Sequence, residues 1–139
     1  MVKTSILNTS LKNRSIIRLK YQAETEENYD GIVVQVTSNV VVIACEKDFE
    51  FDGYQVLLRD RIKGYRNSKY EKCCTQIMSQ NNQLNKIQPP KWVYDIDDLK
   101  SAVNKIEKHR IWPAVETIYN SESDFYIGQI TSINSDFFK

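Results

Sequence analysis

The chain of 139 residues carries 19 Lys and Arg against 18 Asp and Glu, which leaves a formal net charge of +1 with histidine neutral. Its 41% hydrophobic and 27% charged residues are the balance of a folded globular protein, so a disordered or fibrous chain is excluded. A charge so close to zero also excludes a strong field over the whole molecule that would attract nucleic acid or anionic membrane.

The amino-terminal half has the pattern of five short β-strands, which fall at 15–21, 31–37, 40–45, 54–58 and 61–66. Apolar and basic side chains alternate in the first strand, so its apolar residues are expected on one face. Only Ser38-Asn39 separates the second strand from the third, which predicts either a tight hairpin or one sharply bent strand. The acidic segments 24–30 and 46–52 are expected as loops, the latter ending in the turn signal Asp52-Gly53. Strands this short and this closely spaced are typical of a small barrel.

Helical periodicity replaces the strand pattern after residue 67. Ser68 and Glu71 have the spacing of a capping box, in which each side chain accepts a hydrogen bond from a backbone N–H at the start of a helix. A helix is therefore predicted to begin there and to fade in the polar run 79–85. Pro89-Pro90 then excludes a helix and predicts a linker.

A second helix is predicted to run from the carboxylates of Asp95 and Asp98, which are favoured at a helix N-terminus, to about Arg110. Its apolar stripe consists of Ile96, Leu99, Val103 and Ile106. Together with Asp97, the two aspartates are also candidate metal ligands, but their place at the start of a helix favours capping.

Strand character returns at residue 111, and this last segment is similar to the opening of the first barrel. Gly31 and Gly128 stand at a constant offset (128 − 31 = 97), and apolar residues follow both at similar spacing: Val33, Val36, Val40 and Val41, and Ile130, Ile133, Phe137 and Phe138. Each glycine is expected where a strand bends to close a barrel. Chance similarity between two β-rich segments is the alternative. The predicted organisation is a barrel over 1–66, a helical connector with a Pro-Pro linker over 67–110, and a partial second barrel-like segment over 111–139.

Features of one family recur in the first half of the chain, over roughly residues 15–66: Gly31 with its spaced valines, the polar break Ser38-Asn39, the apolar strand 40–43 and the turn Ile62-Lys63-Gly64. Together they resemble the Sm-like small barrels, which include the bacterial host-factor RNA chaperone and the archaeal and eukaryotic Sm proteins. Three features depart from the family pattern. Thr37 stands where the family has an aspartate, and the family's asparagine does not align cleanly, since Asn39 comes before the first valine of the apolar strand. No strong helical pattern precedes Ser15.

The resemblance implies a mainly β fold with a strongly bent, Sm-like or SH3-like five-stranded barrel, often assembled into rings through its edge strands. It also implies RNA binding at the loop after the second strand, here Thr37, Ser38 and Asn39, and at the Ile-Arg-Gly turn, here Lys63 and Gly64. The basic Arg61 and the aromatic Tyr65, which are neighbours of the Ile-Arg-Gly turn in sequence, are added to the predicted site. The predicted RNA-binding residues are Asn39, Arg61, Lys63, Gly64 and Tyr65.

Charge is distributed in alternating blocks. Residues 1–22 hold five basic residues and no acid (+5), and residues 59–72 hold six basic residues and two acids (6 − 2 = +4). Tyr65 and Tyr70 interleave with the second block, as in surfaces that contact phosphates and stack bases. The acidic segments 23–30 (−4) and 46–52 (1 − 4 = −3) alternate with these blocks, so the alternative is a neutralised, solvated surface.

Catalytic chemistry has little support in the sequence. His109 is the only histidine and falls near the end of a predicted helix, and no nucleophile elbow, P-loop or dinucleotide glycine motif is present. Trp92, Trp112 and Phe125 are candidates to line a pocket, but core packing is the more frequent role of such residues. No cofactor or metal site is predicted. The three cysteines and the absence of a signal-peptide pattern predict reduced thiols in a cytoplasmic protein.

The sequence therefore predicts a non-enzymatic binding module, and two hypotheses stay open. The first is an Sm-like module that binds single-stranded RNA through its basic turn. The second is a protein-interaction or structural module, in which barrel edge strands bind a protein partner or further copies of the chain. A small hydrolase ranks far behind both, and no segment is apolar enough to predict a membrane span.

Overall fold

The computed structural model describes residues 1–23, 25–119 and 122–134. Helices and strands occur in the order α1 Thr4–Asn13, β1 Ile17–Gln22, β2 Glu26–Val36, β3 Val40–Lys47, β4 Glu50–Leu58, β5 Ile62–Arg66, α2 Lys69–Gln80, α3 Leu99–Lys108, β6 Ala114–Tyr119 and β7 Glu122–Ile127. Short 3₁₀ turns lie at Arg59–Arg61, Leu84–Lys86 and Lys91–Asp95. The fold is thus α+β, with three helices around a five-stranded antiparallel sheet.

The five predicted strands form one antiparallel sheet in the order β4-β3-β2-β1-β5. In the part of the chain that the structure describes, no hydrogen-bonded ladder joins β4 to β5, so the sheet is open. Closure into a barrel, which the sequence predicted, is not found. The sheet nevertheless bends far enough to bring Tyr21 of β1 near Leu58 at the end of β4. Burial raises the pKa of the Tyr21 hydroxyl, and a hydrogen bond from the backbone N–H of Leu58 acts in the opposite direction.

Gly31 is the point at which β2 changes partners. Residues 26–31 pair with β1, whereas residues 31–36 pair with β3. A Cβ atom at Gly31 would lie 2.3 Å from the carbonyl oxygen of Ala44, so the backbones approach more closely than any side chain permits. Because β2 and β3 pair through Val36 and Val41, the hairpin alternative for the Ser38-Asn39 break is the one found.

The first acidic segment does not form the loop that the sequence predicted, and the second forms a turn only in its middle. Strand β2 already begins at Glu26, so most of 24–30 is paired with β1. The second turn lies at Asp48 and Phe49, both with positive φ, and not at Asp52-Gly53. Gly53 instead lies within β4 with φ of +87°, at an irregularity in the pairing of β3 with β4. Its left-handed backbone explains why glycine occupies this bulge.

The sheet buries apolar side chains on both faces, which explains the nearly continuous apolar character of β2 and β3. The inner face packs with α1 around Val2, Leu7, Ile17, Leu19, Val33, Val41, Ile43, Leu57 and Ile62. On the outer face lie α2 and residues 84–95, here called the proline segment, around Ile16, Ile32, Val34, Val42, Ala44, Cys74, Met78, Ile87 and Val93. The sequence analysis found no strong helical pattern before Ser15. The structure corrects this, because Thr4–Asn13 form helix α1.

Both predicted helix starts are confirmed. The Ser68 hydroxyl accepts a hydrogen bond from a first-turn N–H of α2, while Glu71 accepts one from the backbone N–H of Ser68. Asp98 caps α3 through the N–H of Ser101 at 2.7 Å, which gives this carboxylate the capping role and lowers its pKa. Helix α3 ends at Lys108, slightly before the predicted end, and Leu99 of the predicted apolar stripe is exposed.

The carboxy-terminal strands β6 and β7 form a separate two-stranded antiparallel sheet. Gly128 follows the end of β7, and a Cβ atom there would meet nothing within 4 Å, in contrast to Gly31. The structure therefore gives no support to the predicted repeat at this glycine, and Phe137 and Phe138 lie outside the described residues. Among the helices of the described chain, none has the length and apolar character needed to cross a membrane.

Candidate nucleic-acid interface

The two predicted parts of the RNA site are joined by Arg59, at the start of the 3₁₀ turn before β5. Its backbone N–H donates to the carbonyl of Asn39 at 2.8 Å, and its Nη1 donates to the carbonyl of Thr37 at 2.7 Å. Its Nη2 also donates to the hydroxyl of Thr4 in α1. The β2–β3 turn and the 3₁₀ turn are thereby held together. Sequence analysis counted Arg59 only as a member of the basic block and missed this role.

The charge around Asn39 is mixed. The hydroxyl of Thr37 donates to the carbonyl of Asp97 at 2.9 Å, which places the β2–β3 turn beside the loop that precedes α3. Asp97 and Asp98 in this loop are exposed, whereas Asp95 forms an ion pair with Lys105. The two carboxylates oppose the positive charge of Arg59 on the same turn, so this half of the predicted site offers a phosphate less attraction than unopposed cations would.

Exposed cations surround β5, an edge strand of the sheet. Lys20, Arg61 and Lys63 are exposed, and no carboxylate of the described residues forms an ion pair with any of them. Tyr65 is 45% exposed on the same strand. We call these four residues the basic edge. Since β5 pairs only with β1 in the described chain, its other side carries unpaired backbone groups as well.

Lys63 occupies a bulge in the β1–β5 ladder. Gly64 pairs with Lys20 and Ile62 pairs with Tyr21, so Lys63 is left without a partner residue on β1. Its Nζ donates to the carbonyl of Asp60 at 2.6 Å, which keeps the charge close to the 3₁₀ turn. A carbonyl does not neutralise an ammonium group, so the positive charge remains available for an anion.

No steric crowding requires a glycine at position 64. A Cβ atom at this position would lie 3.4 Å from the Cδ of Lys20, a flexible side chain that can move aside. Its backbone is also outside the left-handed region. Of the predicted site residues, Gly64 therefore contributes only its main chain to the basic edge.

Other cations of the two basic blocks are neutralised within the fold. Arg18 donates from Nε and Nη2 to the carboxylate of Asp30 at 2.7 and 2.5 Å, and this hydrogen bonding raises the pKa of its guanidinium. Arg66 donates to Glu71 at 2.7 Å and lies 5.6 Å from the ring centre of Tyr70. The alternative of a neutralised surface, stated in the sequence analysis, thus applies to Arg18 and Arg66. The cations of the basic edge have no such ion pairs in the described chain and keep their charge.

A polar cluster on the inner face escaped the sequence analysis. The hydroxyl of Tyr29 donates to Glu27 at 2.5 Å, and the rings of Tyr21 and Tyr29 make an edge-to-face contact at 5.6 Å. Burial raises the pKa of Tyr29, and Glu27 raises it further. Nearby, burial raises the pKa of the Cys45 thiol to about 11, so this cysteine stays protonated at neutral pH. No sequence motif marks these residues, because the register of the sheet brings them together.

The single histidine lies against an aromatic ring. The imidazole of His109 stacks on Trp92 with ring centres 5.3 Å apart, at the end of α3. Within residues 1–23, 25–119 and 122–134, no group of three or more His, Cys, Asp or Glu side chains is arranged to hold a metal ion. All three cysteines are free thiols.

Comparison with protein-family models, with curated proteins and with solved structures found no match in any of the three.

Proposed function

We propose that this protein is a non-enzymatic, cytoplasmic binding module that holds single-stranded RNA along its basic edge. The observation that carries the proposal is that exposed Lys20, Arg61, Lys63 and Tyr65 all lie on or beside the edge strand β5. No carboxylate of the described chain forms an ion pair with the three cations. Ammonium and guanidinium groups attract phosphates, and a tyrosine ring stacks on any base without regard to sequence. Asn39 is left out of the proposed contact because carboxylates of the loop before α3 oppose the charge of Arg59 there.

We also propose that residues 15–66 belong to the Sm-like barrels. Support comes from the bend of β2 at Gly31, the hairpin at Ser38-Asn39 and the position of Ile62-Lys63-Gly64 on an edge strand. In the order β4-β3-β2-β1-β5, the two edge strands have no further strand partner in the described chain, and the resemblance implies assembly through such edges. RNA bound at β5 would then lie at a contact between copies.

Salt dependence is the first test of RNA binding. If each of the three cations neutralises one phosphate of single-stranded RNA, log K is expected to fall with log salt at a slope of about −2, because each phosphate contributes about −0.7. Fluorescence anisotropy with a mixed-sequence RNA of 12 nucleotides measures this slope between 20 and 200 mM salt. The Lys63→Ala variant is expected to reduce its magnitude by about 0.7. Lys108→Ala, which removes an exposed lysine at the end of α3, is the control and is expected to leave the slope unchanged.

RNA binding is rejected if the RNA shows no binding at 20 mM salt. It is also rejected if Lys63→Ala and Lys108→Ala change the slope equally, because binding would then follow total charge and not the basic edge.

Protein binding is a second candidate function, favoured by the β6–β7 hairpin. Phe125, Tyr126 and Ile127 are 62%, 60% and 68% exposed. Residues 111–134 hold three acids and no base, so the hairpin would repel RNA. Contiguous exposed apolar side chains are typical of protein interfaces.

Light scattering at increasing protein concentration tests self-association through the hairpin. A mass above the 16.3 kDa of one chain is expected, and Phe125→Ser is expected to restore the single-chain mass. Phe49→Ser, at an exposed position in the β3–β4 turn, is the control. A single-chain mass for the unmodified protein at all concentrations would contradict self-association.

A further inference from the structure

A groove runs along the second half of β2, on a different part of the surface from the basic edge. The β1–β2 ladder ends at Ile17 and Gly31, so beyond Gly31 no strand of the described chain pairs with β2 on this side. The end of α1 and the proline segment stand on either side and leave a cavity of about 380 Å³. Its lining includes Leu11, Arg14, Val34, Gln35, Ile87 and Tyr94.

The main chain of β2 forms part of the groove. Val33 lines it, although the Val33 side chain packs in the inner cluster on the other face of the sheet. Its backbone is therefore the part that reaches the groove. The N–H of Val33 donates to the hydroxyl of Ser10 at 3.2 Å, in place of the hydrogen bond that a neighbouring strand would accept. This side of β2 thus has the position and hydrogen-bonding groups of a sheet edge.

One wall of the groove carries a positive charge. Arg14 is the charged residue among those that line the cavity, and the lining contains no acid. The Nη2 of Arg14 donates to the carbonyls of Leu84 and Ile87 at 2.5 and 3.4 Å. No carboxylate of the described chain forms an ion pair with Arg14.

The floor of the groove is apolar and uncharged, because it consists of Ile32, Val34 and the backbone between them. A nucleic acid would have to place phosphates or polar base edges against this floor. An extended peptide instead offers backbone groups to the free edge and alternate side chains to the floor and to the walls.

We propose that this groove binds an acidic segment of a partner protein, which adds as an extended strand beside residues 32–36 of β2. Apolar side chains of the segment pack on Leu11 and Tyr94, which are exposed in the lining, and a carboxylate reaches Arg14. The partner is identified by this chemistry: alternating acidic and β-branched residues over about six positions, the span of a short strand.

A fluorescein-labelled peptide of six residues, alternating Glu and Val with blocked ends, is the probe for the full chain, and a Lys–Val peptide of the same length is its counterpart. The Glu–Val peptide is expected to bind at least tenfold more tightly. Arg14→Glu is expected to weaken its binding at least tenfold. Because Arg14 also holds the carbonyls of the proline segment, Leu11→Glu provides a second variant that adds a repelling charge at an exposed position and leaves Arg14 in place. Arg61→Glu on the basic edge is the control and is expected to change the affinity less than twofold.

Amide hydrogen exchange locates the bound peptide. The Thr37 N–H donates to Val40 on β3, and successive amides of a strand point to opposite sides, so the Val36 N–H points away from β3. The backbone amide of Val36 is expected to exchange at least tenfold more slowly with the Glu–Val peptide bound, as strand addition requires. Equal affinity for the two peptides overturns the proposal, as does exchange at this amide that the peptide leaves unchanged. If Arg14→Glu instead abolishes binding of the RNA of 12 nucleotides while Lys63→Ala does not, the groove binds nucleic acid and the peptide proposal is wrong.

Discussion

Replacement of Glu71 by glutamine is expected to lower the free energy of unfolding by about 3 kcal/mol at pH 7, because a buried, multiply hydrogen-bonded carboxylate loses its charge. The residue is 0% exposed at the start of α2. Its carboxylate accepts from the backbone N–H and hydroxyl of Ser68, both at 2.6 Å, and from Nε of Arg66 at 2.7 Å. An amide has a single acceptor oxygen, so its NH₂ group would face one of these donors and leave it unpaired.

The same contacts predict a dependence on pH. Burial alone would raise the pKa of Glu71, but the hydrogen bonds from Arg66 and Ser68 outweigh it and lower the pKa to about 2, from an ordinary value of 4.5. A group whose pKa is lower in the folded state stabilises the fold above its unfolded pKa. The contribution of about 3 kcal/mol is therefore complete above about pH 5 and is lost as the pH falls through 4.5 toward 2.

Urea unfolding at pH 7 and at pH 3 measures both effects. Wild type is expected to lose stability between these pH values by about 2 kcal/mol more than Glu71→Gln. Glu107→Gln, at an exposed position in α3, is the matched control and is expected to fall within about 0.5 kcal/mol of wild type. A loss below 1 kcal/mol in Glu71→Gln, or an unchanged pH dependence, would show that the buried carboxylate does not hold β5 to α2.

Local patterns in the sequence were sufficient to predict this capping box. The hydroxyl and carboxylate that satisfy the first turn of α2 lie three residues apart, so the geometry follows from the helix alone. The alternation of Ile17, Leu19 and Tyr21 likewise placed these residues on the inner face, where the first two are buried.

Helix α1 and the first half of β2 escaped prediction because tertiary contacts form them. Helix α1 is rich in Ser, Thr and Asn, which are poor helix formers, and packing of Leu7 against the sheet supplies the stabilisation that propensity lacks. The acidic start of β2 was predicted as a loop, yet it pairs with the basic strand β1. Asp30 lies opposite Arg18, so opposite charges meet across the ladder.

The basic edge was predictable only in part, for the same reason. The sequence placed Arg61, Lys63 and Tyr65 on one short strand, but the register of β1 against β5 was needed to add Lys20. Sequence distance also concealed the acidic loop near Asn39, because Asp97 is separated from Thr37 by 60 positions along the chain.

Replacement of Gly31 by alanine is expected to destabilise the fold by about 3 kcal/mol or more, through a clash that neither backbone can relieve. The added Cβ would lie 2.3 Å from the carbonyl oxygen of Ala44 and 3.2 Å from the Cα of Cys45. Relief of the clash requires β2 and β3 to separate where β2 also changes partners from β1 to β3. The inner and outer clusters both extend across this point, so their packing is lost together.

Gly64→Ala and Gly128→Ala are matched controls for the measurement by urea or thermal unfolding. The first meets only the flexible side chain of Lys20, and the second meets nothing within 4 Å, so both are expected within about 0.5 kcal/mol of wild type. A Gly31→Ala variant as stable as these controls would mean that the two backbones are farther apart in solution. The bend of β2, on which the proposed Sm-like relationship depends, would then lose its physical basis. An equal loss at Gly31 and Gly128 would instead favour the repeat, because both glycines would then occupy crowded bends of the same kind.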